Sequence, residues 1–177
     1  MQLKLAYGHG WLEVEFPEGA TTVIEPAHQP GLAEEKTAVI EALEKPIAAH
    51  RLRDWLRPRD RVCILFTDST RATPNERLIP WLLDYLQDIE PDRISLLNQL
   101  GTHRPNSRAE LDRMLSPAVT KRYRVLNHEP GNPTALVQLG TTGDGTPALL
   151  NRHAVEAELR IVTGFICLLY TSDAADE

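Results

Sequence analysis

Two short polar segments carry the residue types that can do chemistry in this chain of 177 residues. They are Asp68–Arg71, with the sequence DSTR, and Gly101–Pro105, with the sequence GTHRP. A carboxylate, a guanidinium and an imidazole together can bind an organic acid and move its proton. The pattern therefore predicts a site for an anionic ligand in which His103 acts as a general acid or base.

The first segment also contains groups suited to a phosphate. Ser69 and Thr70 add hydroxyls, and Arg71 can bind a phosphate or a carboxylate through two parallel hydrogen bonds. A helix is predicted to begin just after this segment, and backbone N–H groups at a helix start favour an anion.

The elements before these segments place them on one edge of a sheet. Val62–Phe66 is a continuous apolar run before the first segment, and Ile94–Leu97 precedes the second. Strands that alternate with helices form a parallel sheet, and ligands bind beyond the carboxyl ends of its strands. We therefore predict an α/β fold with a largely parallel, Rossmann-like sheet flanked by helices, and the two polar loops side by side.

The remaining pattern completes the predicted fold. Leu3–Tyr7 and Trp11–Phe16 alternate around Gly8-His9-Gly10, which predicts an N-terminal β-hairpin, and Thr21–Glu25 reads as a further short strand. Two helix starts carry capping boxes, one from Thr73 to Glu76 and one from Ser107 to Glu110. Later strands are predicted at Tyr123–Asn127, Ala135–Leu139, Ala148–Leu150 and Leu159–Val162.

Each polar segment has a plainer interpretation, and the residues alone leave it open. Asp68 and Arg71 are close enough in sequence to pair with each other and close their own loop. His103 follows Gly101 in a short loop and can hydrogen-bond within it. The functional interpretation of His103 gains weight because Asp68 and Arg71 are expected on the neighbouring loop.

Composition narrows the class of protein. The net charge of −6 includes Asp173, Asp176 and Glu177 near the end of the chain, so the rest is mildly acidic, which argues against general nucleic-acid binding. No apolar stretch is long enough for a membrane span, and no secretory signal is evident. Of the two cysteines, Cys167 falls in a tail that does not look native, which leaves Cys63 alone in a predicted core strand and fits a reducing compartment. We therefore expect a cytoplasmic protein, with neither nucleic acid nor membrane as a partner.

Taken in order, the motifs resemble the N-terminal portion of the nickel-pincer lactate racemase family. The likeness runs over most of Leu3–Ile166. Its motifs are Tyr7-Gly8, Lys45–Ile47, Asp68–Arg71, Gly101–Arg104, Leu139–Pro147 and Ala154–Ile166.

The resemblance implies a two-domain isomerase that interconverts the stereoisomers of a small 2-hydroxy acid. Its cofactor is a nickel-pincer mononucleotide that accepts the substrate hydride, and two histidines exchange the hydroxyl proton. By match of motif, His103 is the first of these catalytic histidines. The residues Asp68, Ser69, Thr70 and Arg71 would bind the cofactor, and Arg71 would also bind the substrate carboxylate.

The chain departs from the family pattern in two places. Ala72 stands where the family usually has proline. After Ile166 the pattern stops, and residues 167–177 read as the in-frame translation of a transposon-end sequencing adapter. We therefore expect residues 1–166 to be a partial cofactor- and substrate-binding domain, and 167–177 to be a non-native tail. The second catalytic His, the cofactor-anchoring Lys, the nickel ligand and the C-terminal domain are expected beyond Ile166, so the fragment itself is expected to be inactive.

A second class of function fits the same residues. In that alternative, Asp68, Arg71 and His103 belong to a non-catalytic α/β domain that binds an anionic metabolite. A His, a Gly-rich segment and a Lys downstream of Ile166 would favour the enzyme.

Overall fold

The N-terminal part of the chain is a β-hairpin. In this computed structural model, which describes residues 1–25 and 27–165, β1 (Gln2–Tyr7) and β2 (Gly10–Glu15) pair antiparallel and belong to a unit formed by Met1–Ala33. Gly8 has φ 57°, the positive angle that a two-residue hairpin turn requires. The predicted hairpin is confirmed. The predicted strand at Thr21–Glu25 is wrong: these residues pair with no strand among the described residues, and without a partner a strand's backbone groups have no ladder to join.

The second unit begins at Glu34 and contains the remaining elements. In chain order they are α1 (Glu35–Glu44), α2 (Leu52–Trp55), β3 (Val62–Thr67), α3 (Asn75–Tyr85), β4 (Ile94–Gln99), α4 (Arg108–Leu115), α5 (Pro117–Arg122), β5 (Arg124–Asn127), β6 (Leu136–Thr141), β7 (Pro147–Asn151), α6 (Arg152–Glu156) and β8 (Leu159–Val162).

Four of these strands form one parallel sheet in the order β5-β4-β3-β8, while β6 and β7 form a separate antiparallel pair. The chain moves outward from β3 to β4 and β5, and then returns to the other side of β3 as β8. The carboxyl edge beside such a reversal is where open α/β sheets bind ligands. The α/β class and the parallel sheet flanked by helices are therefore confirmed.

The core of this unit explains why β3 is apolar at nearly every position. Val62, Cys63, Ile64 and Phe66 are at most 1% exposed, as expected of a central strand covered on both faces. Helix α3 packs its apolar stripe against this strand. The stripe and its continuation comprise Ile79, Leu82, Leu83, Leu86 and Ile89.

The two predicted capping boxes have different outcomes. Ser107 and Glu110 form theirs, each side chain accepting from the other residue's backbone N–H. Thr73 does not cap α3; Pro74 holds the cap position, and the Thr73 hydroxyl is buried without a hydrogen-bond partner among the described residues. The physical reason lies in Asn75, whose side-chain amide donates to the Thr67 carbonyl at 2.9 Å and ties the helix start to the end of β3.

Within the described residues, no helix combines the length and the apolar character needed to cross a membrane. The predicted boundary at Ile166 and the predicted tail at residues 167–177 lie outside the described residues.

Candidate functional site

Asp68 lies directly after β3 and organises the loop that follows it. The residue is 3% exposed. Its Oδ1 accepts hydrogen bonds from the Thr70 amide at 2.8 Å and the Thr70 hydroxyl at 2.6 Å, and its carbonyl accepts from the Arg71 amide at 3.2 Å. The loop therefore folds tightly around a carboxylate that has one oxygen left for another partner.

That second oxygen contacts His103. The loop after β4 turns at Gly101, which has φ 57°, and the His103 amide donates to the Leu100 carbonyl at 2.9 Å. The His103 Nδ1 then lies 2.5 Å from the Asp68 Oδ2. The His103 side chain remains 45% exposed, whereas that of Asp68 is 4% exposed. The structure thus brings the two predicted loops together through a hydrogen-bonded imidazole that still faces outward.

The electrostatics of this pair define the state of the imidazole. Burial of Asp68 raises its pKa, but the hydrogen bonds from Thr70 and His103 outweigh burial and hold the pKa of the carboxyl below its ordinary value. Asp68 is therefore an ionised acceptor at neutral pH, so Nδ1 of His103 carries a proton. The Nε2 atom is then the position at which His103 can accept or give up a proton.

Arg71 does not pair with Asp68. Its Nη1 donates to the Thr70 hydroxyl at 3.2 Å, and in the part of the chain that the structure describes its guanidinium forms no ion pair. Of the two possibilities for the loop, self-closure through an Asp68–Arg71 ion pair is not what forms. The exposed guanidinium remains available for a carboxylate or a phosphate.

Arg104 has a supporting role in the same loop. Its guanidinium binds Glu110 of α4 through two hydrogen bonds of 2.9 and 2.6 Å, and it also donates to the Pro105 carbonyl at 3.1 Å. The hydrogen bonds from Arg104 and from the Ser107 amide hold the pKa of Glu110 well below its usual range. This contact attaches the loop that carries His103 to the start of α4.

Three asparagines near the site were not identified from the sequence. Asn98, Asn106 and Asn127 are linked by hydrogen bonds, and Asn106 Nδ2 donates to the Ser69 Oγ at 2.8 Å. The sequence does contain a signal for one of them. Asn98 interrupts the apolar run of β4, and a buried side-chain amide has to find hydrogen-bond partners.

The loop after β3 uses two of its own backbone amides in internal hydrogen bonds. The Thr70 and Arg71 amides are engaged by Asp68, and α3 begins only at Asn75, behind Pro74, which has no N–H. The helix start predicted at Thr73-Pro74 lies one residue later, at Asn75, and its contribution to anion binding stays a prediction. The Ser69 hydroxyl and the Arg71 guanidinium remain, and these suit the oxygens of a phosphate.

A metal-binding cluster does not occur among residues 1–25 and 27–165, since no three His, Cys, Asp or Glu side chains there are grouped to hold an ion. Cys63 is buried in the core, and burial raises the pKa of its thiol. The described residues thus offer donors for an organic anion and a proton-transfer group.

Comparisons with known proteins give one consistent result. Residues 7–171 match the family model described as the lactate racemase N-terminal domain. The chain is 31% identical to the lactate racemase of Lactiplantibacillus plantarum over 136 residues, which is 76% of this chain and 32% of that protein. It is 26% identical to the lactate racemase of Thermoanaerobacterium thermosaccharolyticum over 169 residues, covering 93% of this chain and 39% of that protein.

The fold agrees with these similarities. The structure of the lactate racemase apoprotein from Thermoanaerobacterium thermosaccharolyticum matches with a TM-score of 0.76 and 25% identity, over 94% of this chain and 39% of that chain. This chain therefore spans less than two-fifths of the length of the relatives it matches.

Proposed function

Because the chain belongs to the family of the lactate racemase N-terminal domain, we propose that it supplies the acid/base and anion-binding half of a racemase or epimerase acting on a 2-hydroxy acid. The observation that carries the proposal is the contact of 2.5 Å between Asp68 and His103, with the guanidinium of Arg71 nearby in the chain and without an ion pair among the described residues. A 2-hydroxy acid has a carboxylate for the guanidinium and a hydroxyl proton for the imidazole.

His103 is the proposed general acid and base. With Nδ1–H held by Asp68, its Nε2 takes the hydroxyl proton as the substrate becomes a planar keto acid, and returns the proton as the alcohol re-forms. The carboxylate of Asp68 stabilises the imidazolium formed in between. Asp68 therefore fixes both the tautomer and the orientation of the ring.

Arg71 is the proposed substrate-binding residue. Its planar guanidinium can hold a carboxylate through two hydrogen bonds and so fix the plane of the substrate. The substrate's C2 carbon is then held relative to the imidazole while its geometry changes between tetrahedral and planar. Orientation of this kind contributes directly to rate.

The proposed cofactor is the nickel-pincer mononucleotide that the family resemblance implies. When bound, it would supply the acceptor for the hydride that leaves C2. The residues present fit its phosphate, since Ser69 provides a hydroxyl and Arg71 provides a cation, while the Thr70 hydroxyl donates its proton to Asp68 and shapes the loop. We assign no nickel ligand to the described residues, which contain no cluster of metal-binding side chains.

The 177-residue chain by itself is expected to be catalytically silent. The family resemblance implies a second catalytic histidine beyond Ile166, and we assign only His103 within the described residues. The chain also spans only 32% and 39% of the two lactate racemases that it matches. Measurable turnover by this chain alone would contradict the assignment.

The test of the function is racemisation in D₂O by the protein expressed from the source gene, with the cofactor loaded. We expect optical rotation of lactate, or of a larger 2-hydroxy acid, to be lost while the hydrogen at C2 remains protium, because a transferred hydride does not exchange with solvent. Deuterium at C2 would indicate proton abstraction from carbon and contradict the proposed route. Binding of hydroxy acids without racemisation would favour the non-catalytic anion-binding domain.

A further inference from the structure

A line of three asparagine side chains connects the sheet to the loop that carries Ser69. Asn98 in β4 and Asn127 at the end of β5 are register partners in the parallel sheet. Asn98 is fully buried, and its Nδ2 donates to Asn127 Oδ1 at 3.1 Å and to Asn106 Oδ1 at 2.8 Å. Asn106, which is 6% exposed, then donates through Nδ2 to the Ser69 Oγ at 2.8 Å.

The direction of this line is fixed at its sheet end by backbone groups. The Asn127 Oδ1 accepts from the Asn106 amide N–H at 3.3 Å, and the Asn127 Nδ2 donates to the Asn106 carbonyl at 2.9 Å. Rotating the Asn127 amide by 180° would place donor against donor and acceptor against acceptor. Only one orientation of this side chain therefore satisfies its neighbours.

The orientation of Asn127 determines that of the next two amides. Since Asn127 presents an oxygen to Asn98, Asn98 has to present its Nδ2, and the same nitrogen meets the Asn106 Oδ1. This orientation leaves the Asn98 Oδ1 buried with no hydrogen-bond partner among the described residues. Asn106 is then left with its Nδ2 facing Ser69.

A second neighbour of Asn106 supports the same direction. The Glu110 Oε2 lies 3.4 Å from the Asn106 Nδ2, and an ionised carboxylate accepts hydrogen bonds but donates none. Both protons of the Asn106 amide are thus directed at oxygens. The Ser69 Oγ has to accept, and its own proton points away from Asn106 on an exposed residue.

We propose that Asn127, Asn98 and Asn106 are positioning residues that make the Ser69 hydroxyl a hydrogen-bond donor to the phosphate of a bound pyridinium mononucleotide. The proposal rests on the proposed function for the identity of the ligand. A serine hydroxyl can ordinarily turn to donate or accept, and the line of amides removes that freedom before the ligand arrives. A donor oriented in advance loses less conformational entropy when it binds an anion.

The test uses two variants of the 177-residue chain and their combination. Ser69→Ala removes the hydroxyl from an exposed position. Asn106→Asp keeps an oxygen for Asn98 but puts a second oxygen beside Ser69, so that the Ser69 hydroxyl turns toward it and presents lone pairs to the ligand. Affinity for nicotinic acid mononucleotide, and for the riboside that lacks the phosphate, is measured at pH 8 by titration calorimetry.

The expected result is a specific non-additivity. Ser69→Ala weakens mononucleotide binding about tenfold, as expected for a hydrogen bond to a charged group, and leaves riboside binding unchanged. Asn106→Asp weakens mononucleotide binding about tenfold more when Ser69 is present than in the Ser69→Ala background. In a Ser69→Thr background, which keeps a hydroxyl, Asn106→Asp again has the larger effect on mononucleotide binding. The added negative charge alone acts equally in both backgrounds, and Asn151→Asp, at a buried asparagine bonded to His128, controls for it.

Three outcomes would overturn the inference: equal effects of Asn106→Asp in both backgrounds, an equal loss of riboside affinity in Ser69→Ala, or no binding of the mononucleotide by the unaltered chain. None of these measurements depends on turnover of a hydroxy acid. If the protein racemises a hydroxy acid but Asn106 and Ser69 are not coupled in mononucleotide binding, the role of the asparagines is lost and the proposed function stands. If the coupling is found without racemisation, the role of the asparagines stands and the proposed function is lost.

Discussion

The Asp68 carboxylate contacts the His103 imidazole across 35 residues of sequence, with Nδ1 and Oδ2 separated by 2.5 Å. The contact joins the loops after two adjacent parallel strands whose last residues, Thr67 and Gln99, are partners in register. Because the other carboxylate oxygen is held by Thr70, the ring is oriented by a group that is itself held in place. Proton transfer from a ring held in this way does not require the imidazole to search for its position.

Replacing Asp68 by Asn tests this relationship. The Asn side chain keeps the shape but can present an N–H to Nδ1, which moves the imidazole proton to Nε2 and leaves the wrong tautomer facing the substrate. We expect turnover in the cofactor-loaded protein to fall about 100-fold, within the range for a lost general base, with substrate affinity little changed. Steady-state kinetics measure the effect, and ¹⁵N NMR of the imidazole identifies the tautomer. An unchanged tautomer with full turnover would contradict the assignment.

Replacing His103 by Ala should lower turnover about 10²–10⁴-fold while cofactor content stays at the level of the unaltered protein. The reason is that the imidazole is assigned to proton transfer and not to holding the cofactor. The measurement is racemisation rate together with nickel and phosphate content of the same sample. His153→Ala is the matched control. His153 belongs to α6 and lies beside Arg61 and Arg124, at the amino ends of the strands, whereas His103 follows the carboxyl end of β4. Full activity in His103→Ala would make that residue structural.

Replacing Arg71 by Lys should impair binding more than turnover. A lysine offers a point charge where the guanidinium offers two parallel donors, so the KM for the hydroxy acid is expected to rise about 10–100-fold. The kinetic constants are compared with those of Arg113→Lys, a control at an exposed position on α4. A loss confined to kcat would show that Arg71 acts in the chemical step.

The sequence predicted the framework of this site because its signals are local. Val62–Phe66 is apolar at every position, as a strand buried on both faces must be, and the strand ends at Thr67, directly before Asp68. Ser107 and Glu110 are three residues apart and formed the expected capping box. Loops that follow neighbouring parallel strands end at the same edge, so their meeting could be anticipated as well.

The choice of partners within the site was not available from the sequence. Arg71 is three residues from Asp68 in sequence, and His103 is thirty-five residues away. Only the geometry of the loops determines that Asp68 contacts the histidine. Thr73 failed as a cap for a similar reason. The Asn75 side chain bonds the carbonyl of Thr67, and this tertiary contact overrides the local preference of the threonine.

Gly101 is predicted to be needed for its backbone angle alone. Its φ of 57° disfavours any residue with a Cβ, although an added Cβ would have no neighbour within 4 Å. We expect Gly101→Ala to lower the free energy of unfolding by about 1–2 kcal/mol, and Gly101→Asn by less, since asparagine tolerates this region better. Urea denaturation gives the values. Gly143→Ala is the control, because its Cβ also meets no atom and no positive φ is involved; an equal loss in both variants would exclude conformational strain as the cause.

The response of stability to acid should depend on Glu158, which lies at the amino ends of the strands, opposite the loops that carry Asp68 and His103. Glu158 accepts hydrogen bonds from the Arg61 side chain and from the Arg61 amide at 2.7 Å, joining the start of β8 to the start of β3. These hydrogen bonds lower the pKa of Glu158 from 4.5 to about 2. Since the folded-state pKa is the lower one, the carboxylate adds its full stabilisation above about pH 4.5, and that contribution is lost as the pH falls toward 2.

Glu158→Gln is therefore expected to lower the urea midpoint at pH 7 and to differ progressively less from the unaltered chain between about pH 4.5 and pH 2. Glu156→Gln is the matched control, because Glu156 contacts Arg152 of its own helix at 3.5 Å across an exposed surface, and such pairs contribute little. Urea midpoints measured at intervals from pH 7 to pH 2 provide the comparison. A difference between Glu158→Gln and the unaltered chain that stays constant down to pH 2 would mean that packing of the side chain, and not its charge, joins the two strands.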